Sequence, residues 1–334
     1  MPDLDAFRTE WQALAPASGN PFLTHEWCSA WWRHRGRGEL SVHVVRDGDR
    51  PAAILPMFID RGRLAFLGDG DADILGPVCA PADNALAAAA IREVLANGAA
   101  RTLDARWLRG DQPWPELLDG EVIQRESCPQ LRLGGRSWQD LLAGRSSNFR
   151  SQVGRRRRAL ERAHAVRIRR TETAAELGPD LDTLFALHDQ RFGDSSLAFA
   201  GEREQVHRDW AAAALERGWL RLWTLSLDGA DVASLYIFRF GDTDFFYQSG
   251  RDPRLERERI GFVLLCAAIE DACAAGQEVF SLLLGGEAYK DRFADEDPGL
   301  QRVVSGRGVA LLRTGVFARR VRSQVGAALR RRRA

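Results

Sequence analysis

An arginine-rich loop separates a strand-like stretch from a helical stretch in the second half of the chain. Residues 245–250 lead into the loop Arg251–Arg259, and a helical pattern begins at Ile260 and Gly261. The first backbone N–H groups of a helix have no partner within it, and the helix dipole favours negative charge at that end. Gly261 has no side chain, so an anionic group can approach the backbone closely. This spacing predicts a phosphate-binding site at residues 251–261.

Further polar side chains near this loop could act on a substrate. Tyr247 could act as a general acid, and Gln248 and Ser249 could bind an acceptor where the strand ends. His188 and Arg191 are three residues apart, which places them on one face of a predicted helix. His188 could therefore serve as a base. The alternative interpretation is structural, with Tyr247 packed against its neighbours and His188 hydrogen-bonded in the core.

Lys290 is the single lysine among 47 basic residues. A genomic bias toward arginine codons explains the other basic residues but not the single lysine. The single lysine therefore supports a functional role for Lys290. Chance survival of a surface lysine is the simple alternative. A Schiff-base lysine for pyridoxal phosphate is a further one, although no supporting fold pattern accompanies it.

The apolar periodicity predicts alternating strands and helices in both halves of the chain. Asp47-Gly48 and Asp228-Gly229 are hairpin turn signals, and similar strand patterns flank both turns. Helices precede each hairpin and a third strand follows it. This similarity between the two halves of the chain predicts a duplicated α/β domain with a boundary near 134–144. The predicted helices are 5–14, 25–34, 82–96, 113–118, 147–163, 181–192, 202–217 and 260–275; the predicted strands are 40–45, 52–59, 63–67, 102–108, 130–133, 166–170, 220–227, 232–240, 245–248, 278–284 and 303–310.

Several common functional classes have no signature here. The chain has no P-loop, no complete Rossmann fingerprint, no nucleophile elbow and no H-E-x-x-H motif. Its six histidines never fall at metal-ligand spacing, so no metal site is expected. The five cysteines form no C-x-x-C pair, and Cys266 and Cys273 are predicted to be small buried residues. No apolar run approaches the length of a membrane span and the N-terminus has no secretory pattern, so a cytoplasmic location is expected, with a peripheral position at the inner membrane as an alternative.

The net charge of +1 conceals two strongly basic segments. Residues 145–170 hold ten arginines and one acid, and residues 313–333 hold eight arginines and no acid. The rest of the chain is therefore acidic. Such segments indicate contact with an anionic partner or with acidic parts of the chain itself. The run Arg155–Arg158 is either a solvated or acid-paired helix face or a contact for a polyanion, and the C-terminal arginines could touch anionic lipid.

At this point the sequence resembles a known family. The motifs that carry the resemblance are Tyr247–Pro253, Ile260-Gly261 and Gly285–Phe293, with looser matches at Trp27/Trp31/Trp32, Cys128–Leu131, Phe149–Glu161 and Leu187–Phe192. Together they are similar to the FemAB-like branch of the GNAT superfamily, in particular the CelD/BioF2-like acetyltransferase domain associated with cellulose and exopolysaccharide biosynthesis. The resemblance implies an α/β fold of tandem GNAT-like (acyl-CoA N-acyltransferase) domains, with mixed central sheets flanked by helices. It implies a degenerate domain at 1–140, a domain with the cofactor site at 141–300, and a strand and basic helical tail at 301–334.

The resemblance also implies chemistry. An amine of a sugar, a cell-envelope precursor or a small molecule would attack the thioester of acetyl-CoA or another acyl-CoA directly. A strand N–H at Val232–Tyr236 would polarise the thioester carbonyl. The implied catalytic residues are Tyr247, Tyr289, Lys290 and His188. The implied cofactor contacts are Val232, Ala233, Ser234, Arg257, Arg259, Ile260 and Gly261, and the implied acceptor contacts are Gln248, Ser249, Arg251, Arg191 and Glu287.

The pattern departs from the broad GNAT loop at two positions. Glu258 stands where glutamine or a basic residue is usual, and Val263 stands where a small residue is usual. Arg257 and Arg259 are expected to make the charge contacts instead. Two alternatives stay open. The donor could be an aminoacyl-tRNA, with RNA on segments 150–170 and 319–333, or the chain could be a non-catalytic binding module in polysaccharide biosynthesis.

Overall fold

The structure, a computed structural model, describes residues 4–310 and 312–314. The described chain divides into two units, neither of which is continuous in sequence. Unit 1 contains residues 4–18, 37–126 and those from 299 onward, and unit 2 contains residues 19–36 and 127–298. Most of the predicted basic tail, residues 315–334, lies outside the described residues.

Helices and strands alternate along the described chain. The helices are α1 (Arg8–Ser18), α2 (His25–Arg35), α3 (Asn84–Ala96), α4 (Trp114–Leu117), α5 (Trp138–Ala143), α6 (Ser147–Ala163), α7 (Ala174–Phe192), α8 (Glu202–Glu216) and α9 (Ile260–Ala274). The strands are β1 (Glu39–Asp47), β2 (Arg50–Asp60), β3 (Arg63–Phe66), β4 (Val78–Cys79), β5 (Thr102–Arg109), β6 (Glu121–Glu126), β7 (Gln130–Arg132), β8 (Val166–Arg170), β9 (Leu220–Leu227), β10 (Ala230–Phe240), β11 (Thr243–Arg251), β12 (Val279–Ser281) and β13 (Leu300–Gly306).

Unit 1 is built on one mixed sheet in the order β1-β2-β3-β5-β13-β6, with β4 beside β2. Strands β1, β2 and β3 form an antiparallel meander, and the Asp47-Gly48 turn joins the first two as predicted. Strand β3 then pairs in parallel with β5. Strand β13 completes the sheet between β5 and β6, so residues far apart in sequence share one ladder.

Unit 2 repeats that plan in the order β7-β12-β11-β10-β9-β8. The meander β9-β10-β11 is antiparallel, with the Asp228-Gly229 turn between its first two strands. Helix α9 follows it, and β12 pairs in parallel with β11. The predicted duplication therefore corresponds to two sheets with the same meander, helix and parallel strand. The α/β class with mixed sheets flanked by helices is confirmed.

The observed units differ from the contiguous domains 1–140 and 141–300 expected from the sequence. Helix α2 packs against α8 within unit 2, and β13 belongs to the sheet of unit 1. Both exchanges are pairings between segments distant in sequence, which local patterns do not encode.

The core of unit 2 explains why α9 is apolar on every side. Its residues Ile260, Leu264 and Ile269 are fully buried against the sheet. Both cysteines of this helix, Cys266 and Cys273, are buried as predicted, and burial raises the pKa of each thiol. No helix among residues 4–310 and 312–314 is long and apolar enough to cross a membrane.

Two element boundaries have clear local causes. Helix α7 begins at Ala174 rather than at 181, because Thr173 and Glu176 form a capping box. Strand β12 ends at Ser281 rather than at 284, and Leu283 adopts a positive φ of 56° that no regular strand contains.

Candidate functional site

The two parallel strands of unit 2 separate soon after they pair. Strand β11 pairs with β12 only over Thr243–Phe245, opposite Val279–Ser281, and then continues to Arg251 paired with β10 alone. A pocket of about 590 Å³ opens beside the unpaired part of β11. This volume lies in the range of about 300–1,000 Å³ typical of small-molecule sites.

The charged groups that line this pocket are mostly arginines. They are Arg156, Arg191, Arg251, Arg259, Arg292 and Glu256. The five arginines and one glutamate give the lining a net charge of +4. Since Glu256 already pairs with Arg251 at 3.1 Å, the remaining arginines keep their charge for an anion.

The first turn of α9 supplies a backbone cradle in the pocket wall. The N–H groups of Phe262 and Val263 both donate to the carbonyl of Arg259, whereas those of Ile260 and Gly261 have no hydrogen-bond partner among the described residues. Arg259 itself has a left-handed backbone with φ 58°. A Cβ at Gly261 would lie 3.4 Å from Cδ of Arg251. Two free amides beside an arginine fit the pyrophosphate of an acyl-CoA.

Helix α6 presents a polar stripe to the same pocket. Asn148, Gln152 and Arg156 are spaced four residues apart and all line the pocket. The side chain of Gln152 donates to Asn148 at 3.0 Å and accepts from Arg292 at 2.6 Å. The predicted site residues did not include Asn148, Gln152, Arg292 or Glu256, although the four-residue spacing of polar residues on α6 is visible in the sequence.

Three predicted residues at the end of α7 and β11 are brought together. Arg191 lines the pocket, and its Nη1 donates to the hydroxyl of Ser249 at 2.9 Å. His188 donates from Nδ1 to the carbonyl of Ser249 at 2.9 Å and accepts at Nε2 from Ser196 at 2.8 Å. Burial lowers the pKa of His188, so its neutral form prevails. His188 does not line the pocket, and its hydrogen bond holds the backbone of Ser249.

Gly250 makes this arrangement possible. A Cβ there would come within 2.5 Å of the backbone nitrogen of His188 and 2.7 Å of Leu187. Only glycine lets α7 approach β11 this closely, and that approach places Arg191 over Ser249.

Tyr289 also lines the pocket, where its hydroxyl forms no hydrogen bond with the described residues. Burial raises the pKa of Tyr289, so the hydroxyl keeps its proton and can donate a hydrogen bond. The predicted role in acceptor binding is compatible with this position.

Lys290 and Glu287 lie outside the pocket lining. The ammonium of Lys290 is buried and donates to the carbonyls of Leu283, Leu284 and Gly285 at 3.3, 2.7 and 3.1 Å. It also pairs with Glu287 at 2.9 Å. Four oxygens therefore surround the ammonium of Lys290, and these contacts hold the loop that carries Tyr289.

The remaining predicted residues are placed elsewhere. The ring of Tyr247 is buried among aromatic side chains, including Phe22 at 5.2 Å and His207 at 5.5 Å between centroids. Among the strand residues Val232, Ala233 and Ser234 none lines the pocket, where β10 contributes Leu235 instead. Gln248 and Arg257 are likewise absent from the lining.

The unusual glutamate of the α9 loop has its own partner. Glu258 lies 3.1 Å from Nε2 of His164, whose Nδ1 lies 2.7 Å from Asp228. The hydrogen bond with Asp228 raises the pKa of His164. Glu258 thus ties the loop before α9 to the β9–β10 hairpin and makes no contribution to the pocket lining.

The family comparison agrees with this geometry. Residues 147–291 match a family described as "Acetyltransferase (GNAT) domain". This stretch contains the meander, the splayed strands, α9 and most of the pocket. Residues 147–291 are therefore similar to a GNAT domain.

Solved structures with the same fold cover nearly the whole chain. A C-terminal domain (DUF2156) of a putative lysylphosphatidylglycerol synthetase from Agrobacterium fabrum is 12% identical with a TM-score of 0.64, covering 94% of this chain and 95% of that one. FemX is 9% identical with a TM-score of 0.65, covering 91% and 97%. A tandem GNAT protein from the clavulanic acid biosynthesis pathway is 12% identical with a TM-score of 0.50, covering 90% and 95%.

At these identities the likeness concerns the fold alone, which is the fold of a tandem GNAT protein. No curated protein matches the sequence.

Proposed function

We propose that the GNAT domain transfers an acyl group, with acetyl as first candidate, from an acyl-CoA to an amine of a sugar, a cell-envelope precursor or another small molecule. The observation that carries the proposal is the pocket beside the end of β11, whose lining combines two free α9 amides with a net charge of +4. An acyl-CoA supplies the activated thioester, and Ile260, Gly261, Arg251 and Arg259 would hold its phosphates.

The protein's contribution to the reaction is mainly placement. Beyond Phe245 the backbone of β11 has no neighbouring strand on the β12 side among the described residues, so its N–H groups can polarise a carbonyl in the pocket. Glu256 is the one carboxylate in the lining and is ion-paired. Orientation of two bound reactants can supply roughly 7–11 kcal/mol in favourable sites, so a strong base is not required.

Calorimetric titration with acetyl-CoA and CoA tests the proposal. The wild-type protein should bind both. Gly261→Trp should abolish binding, because the indole fills the space beside the α9 amides. Ala274→Trp is the matched control, because Ala274 is exposed at the other end of α9 and absent from the pocket lining. A folded protein that binds neither compound would refute the acyl-CoA proposal.

An aminoacyl-tRNA donor is the second candidate, and one observation favours it. On α6, Arg155, Arg158 and Arg162 have no ion-pair partner among the described residues, and Arg156 of the same helix lines the pocket. A row of free guanidinium groups leading to the pocket suits an RNA backbone. Replacing all three by glutamine should remove salt-dependent RNA binding and leave CoA binding intact.

A third reading, a binding module without turnover, predicts acetyl-CoA or precursor binding without product. Mass spectrometry of amine acceptors incubated with acetyl-CoA separates this reading from the first.

A further inference from the structure

Arg191 is half-buried in the pocket wall and has no carboxylate partner among the described residues. Burial lowers the pKa of Arg191, and Arg251 lowers it further. The nearby acids are committed elsewhere, Glu256 to Arg251 and Glu287 to Lys290. Desolvating a guanidinium without a counter-charge is costly unless a ligand supplies that charge.

The groups around Arg191 offer hydrogen-bond donors. Nη1 of Arg191 donates to Ser249, whose own hydroxyl hydrogen stays available. The protonated hydroxyl of Tyr289 faces the same pocket. Donors without a free acceptor select a ligand group that only accepts, namely a carboxylate or a phosphate.

The number of unpaired charges favours a carboxylate. Glu256 neutralises Arg251, which leaves one uncompensated guanidinium at this position. The planar fork of an arginine matches a planar carboxylate with one negative charge. The phosphates of an acyl-CoA have separate donors at the first turn of α9, on a different element from α7.

The backbone supports this subsite rigidly. Gly250 lets α7 pack against β11, and His188 holds the carbonyl of the residue whose hydroxyl receives Arg191. The ring of Phe192 lies 4.4 Å from the guanidinium carbon and covers its other side. Arg191 is therefore fixed before any ligand arrives.

We propose that Arg191, with Ser249 and Tyr289, binds a carboxylate on the amine acceptor, so that the substrate class is amino acids or amino sugars bearing a carboxylate. The statement that the carboxylate belongs to the amine acceptor rests on the proposed function. The carboxylate subsite itself is testable by binding alone.

Calorimetry with matched probes tests it. One pair is muramic acid and glucosamine, and the other is L-lysine and cadaverine; glucosamine 6-phosphate is the phosphate arm. Each is titrated with and without saturating CoA. In at least one pair the carboxylate compound should bind about 10- to 100-fold more tightly than its partner without a carboxylate.

Arg191→Gln should abolish that preference and leave binding of the amine without a carboxylate, and of CoA, unchanged. Arg191→Lys should retain part of it, and this second variant decides the question if Arg191→Gln does not fold. Arg257→Gln is the control, because Arg257 is exposed and absent from the pocket lining.

Three results would overturn the inference. The first is equal binding within both pairs, and the second is a preference for glucosamine 6-phosphate over muramic acid. The third is a loss of CoA binding in Arg191→Gln as large as in Gly261→Trp, which would assign Arg191 to the donor phosphates while the proposed function stands. If wild-type protein binds no CoA but still prefers the carboxylates, the proposed function fails and the subsite remains.

Discussion

The four oxygens around Lys290 predict that this side chain acts through stability. Its ammonium is 4% exposed and contacts three successive carbonyls and Glu287. Replacing it by methionine leaves those carbonyls without their donor and Glu287 without its partner. Glu287 is 59% exposed, so the cost comes mainly from the carbonyls. Leaving a buried hydrogen-bond acceptor without its donor costs roughly 1–3 kcal/mol. Because three partly buried carbonyls lose one shared donor, we expect a loss of about 3 kcal/mol.

For a unit of this size a loss of 1 kcal/mol lowers Tm by about 2–4 °C. Lys290→Met should therefore lower Tm by about 6–12 °C in a calorimetric scan. Lys290→Arg should lower it by about half as much, because a planar guanidinium cannot place one nitrogen among three converging carbonyls. Arg257→Met is the control and should stay within about 2 °C, since Arg257 is exposed.

The result for arginine is the sharper test. A Lys290→Arg protein with wild-type Tm would show that the compact ammonium is not needed. The presence of lysine rather than arginine at this position would then have no structural explanation. A Lys290→Met protein that keeps its Tm but loses turnover would instead assign Lys290 a chemical role.

Three further outcomes are expected. Burial lowers the pKa of His188, so the unfolded chain takes up a proton at a higher pH than the folded protein does. The free energy of unfolding should therefore fall as the pH drops below about 6.5, and His188→Asn should remove the contribution of His188 to this pH dependence. Asp228 raises the pKa of His164, so its contribution is present below about pH 6.5 and lost as pH rises through the higher folded pKa, a trend that urea titrations of His164→Gln should lack. Gly250→Ala should destabilise the protein by about 2 kcal/mol or more through a 2.5 Å clash, as chemical denaturation would show.

The fold could be predicted because its signals are local. The two Asp-Gly turns and the alternating strands beside them mark both meanders, and both hairpins occur where expected. The exchange of β13 into unit 1 could not be predicted, because strand pairing across nearly 200 residues leaves no local pattern. The same reason explains the difference between the expected contiguous domains and the observed units.

A β-bulge explains the different positions of neighbouring site residues. In the ladder between β10 and β11, Tyr236 pairs with Gln248 and Ile237 pairs with Phe246, so Tyr247 is an extra residue. A regular strand would place Tyr247 and Ser249 on one face. The extra residue shifts the alternation, so Phe246 and Ser249 share the pocket while Tyr247 packs among aromatic rings. Sequence alternation alone could not reveal this shift.

In unit 1, arginines near the end of the third meander strand are paired with aspartates of the same chain. After its third meander strand, buried Asp69 lies 2.8 Å from Arg63 and 3.3 Å from Arg106. Asp104 lies 2.8 Å from Arg63 and 2.7 Å from Arg302. At the equivalent point in unit 2, after β11, buried Asp252 pairs with Arg254 at 2.7 Å, and neither residue lines the pocket. The lining arginines Arg156, Arg191, Arg259 and Arg292 have no carboxylate partner among the described residues. The duplicated plan therefore compensates its arginines internally in one unit and leaves them for a ligand in the other, which is the physical reason to look for the substrate anion beside α9 and Arg191.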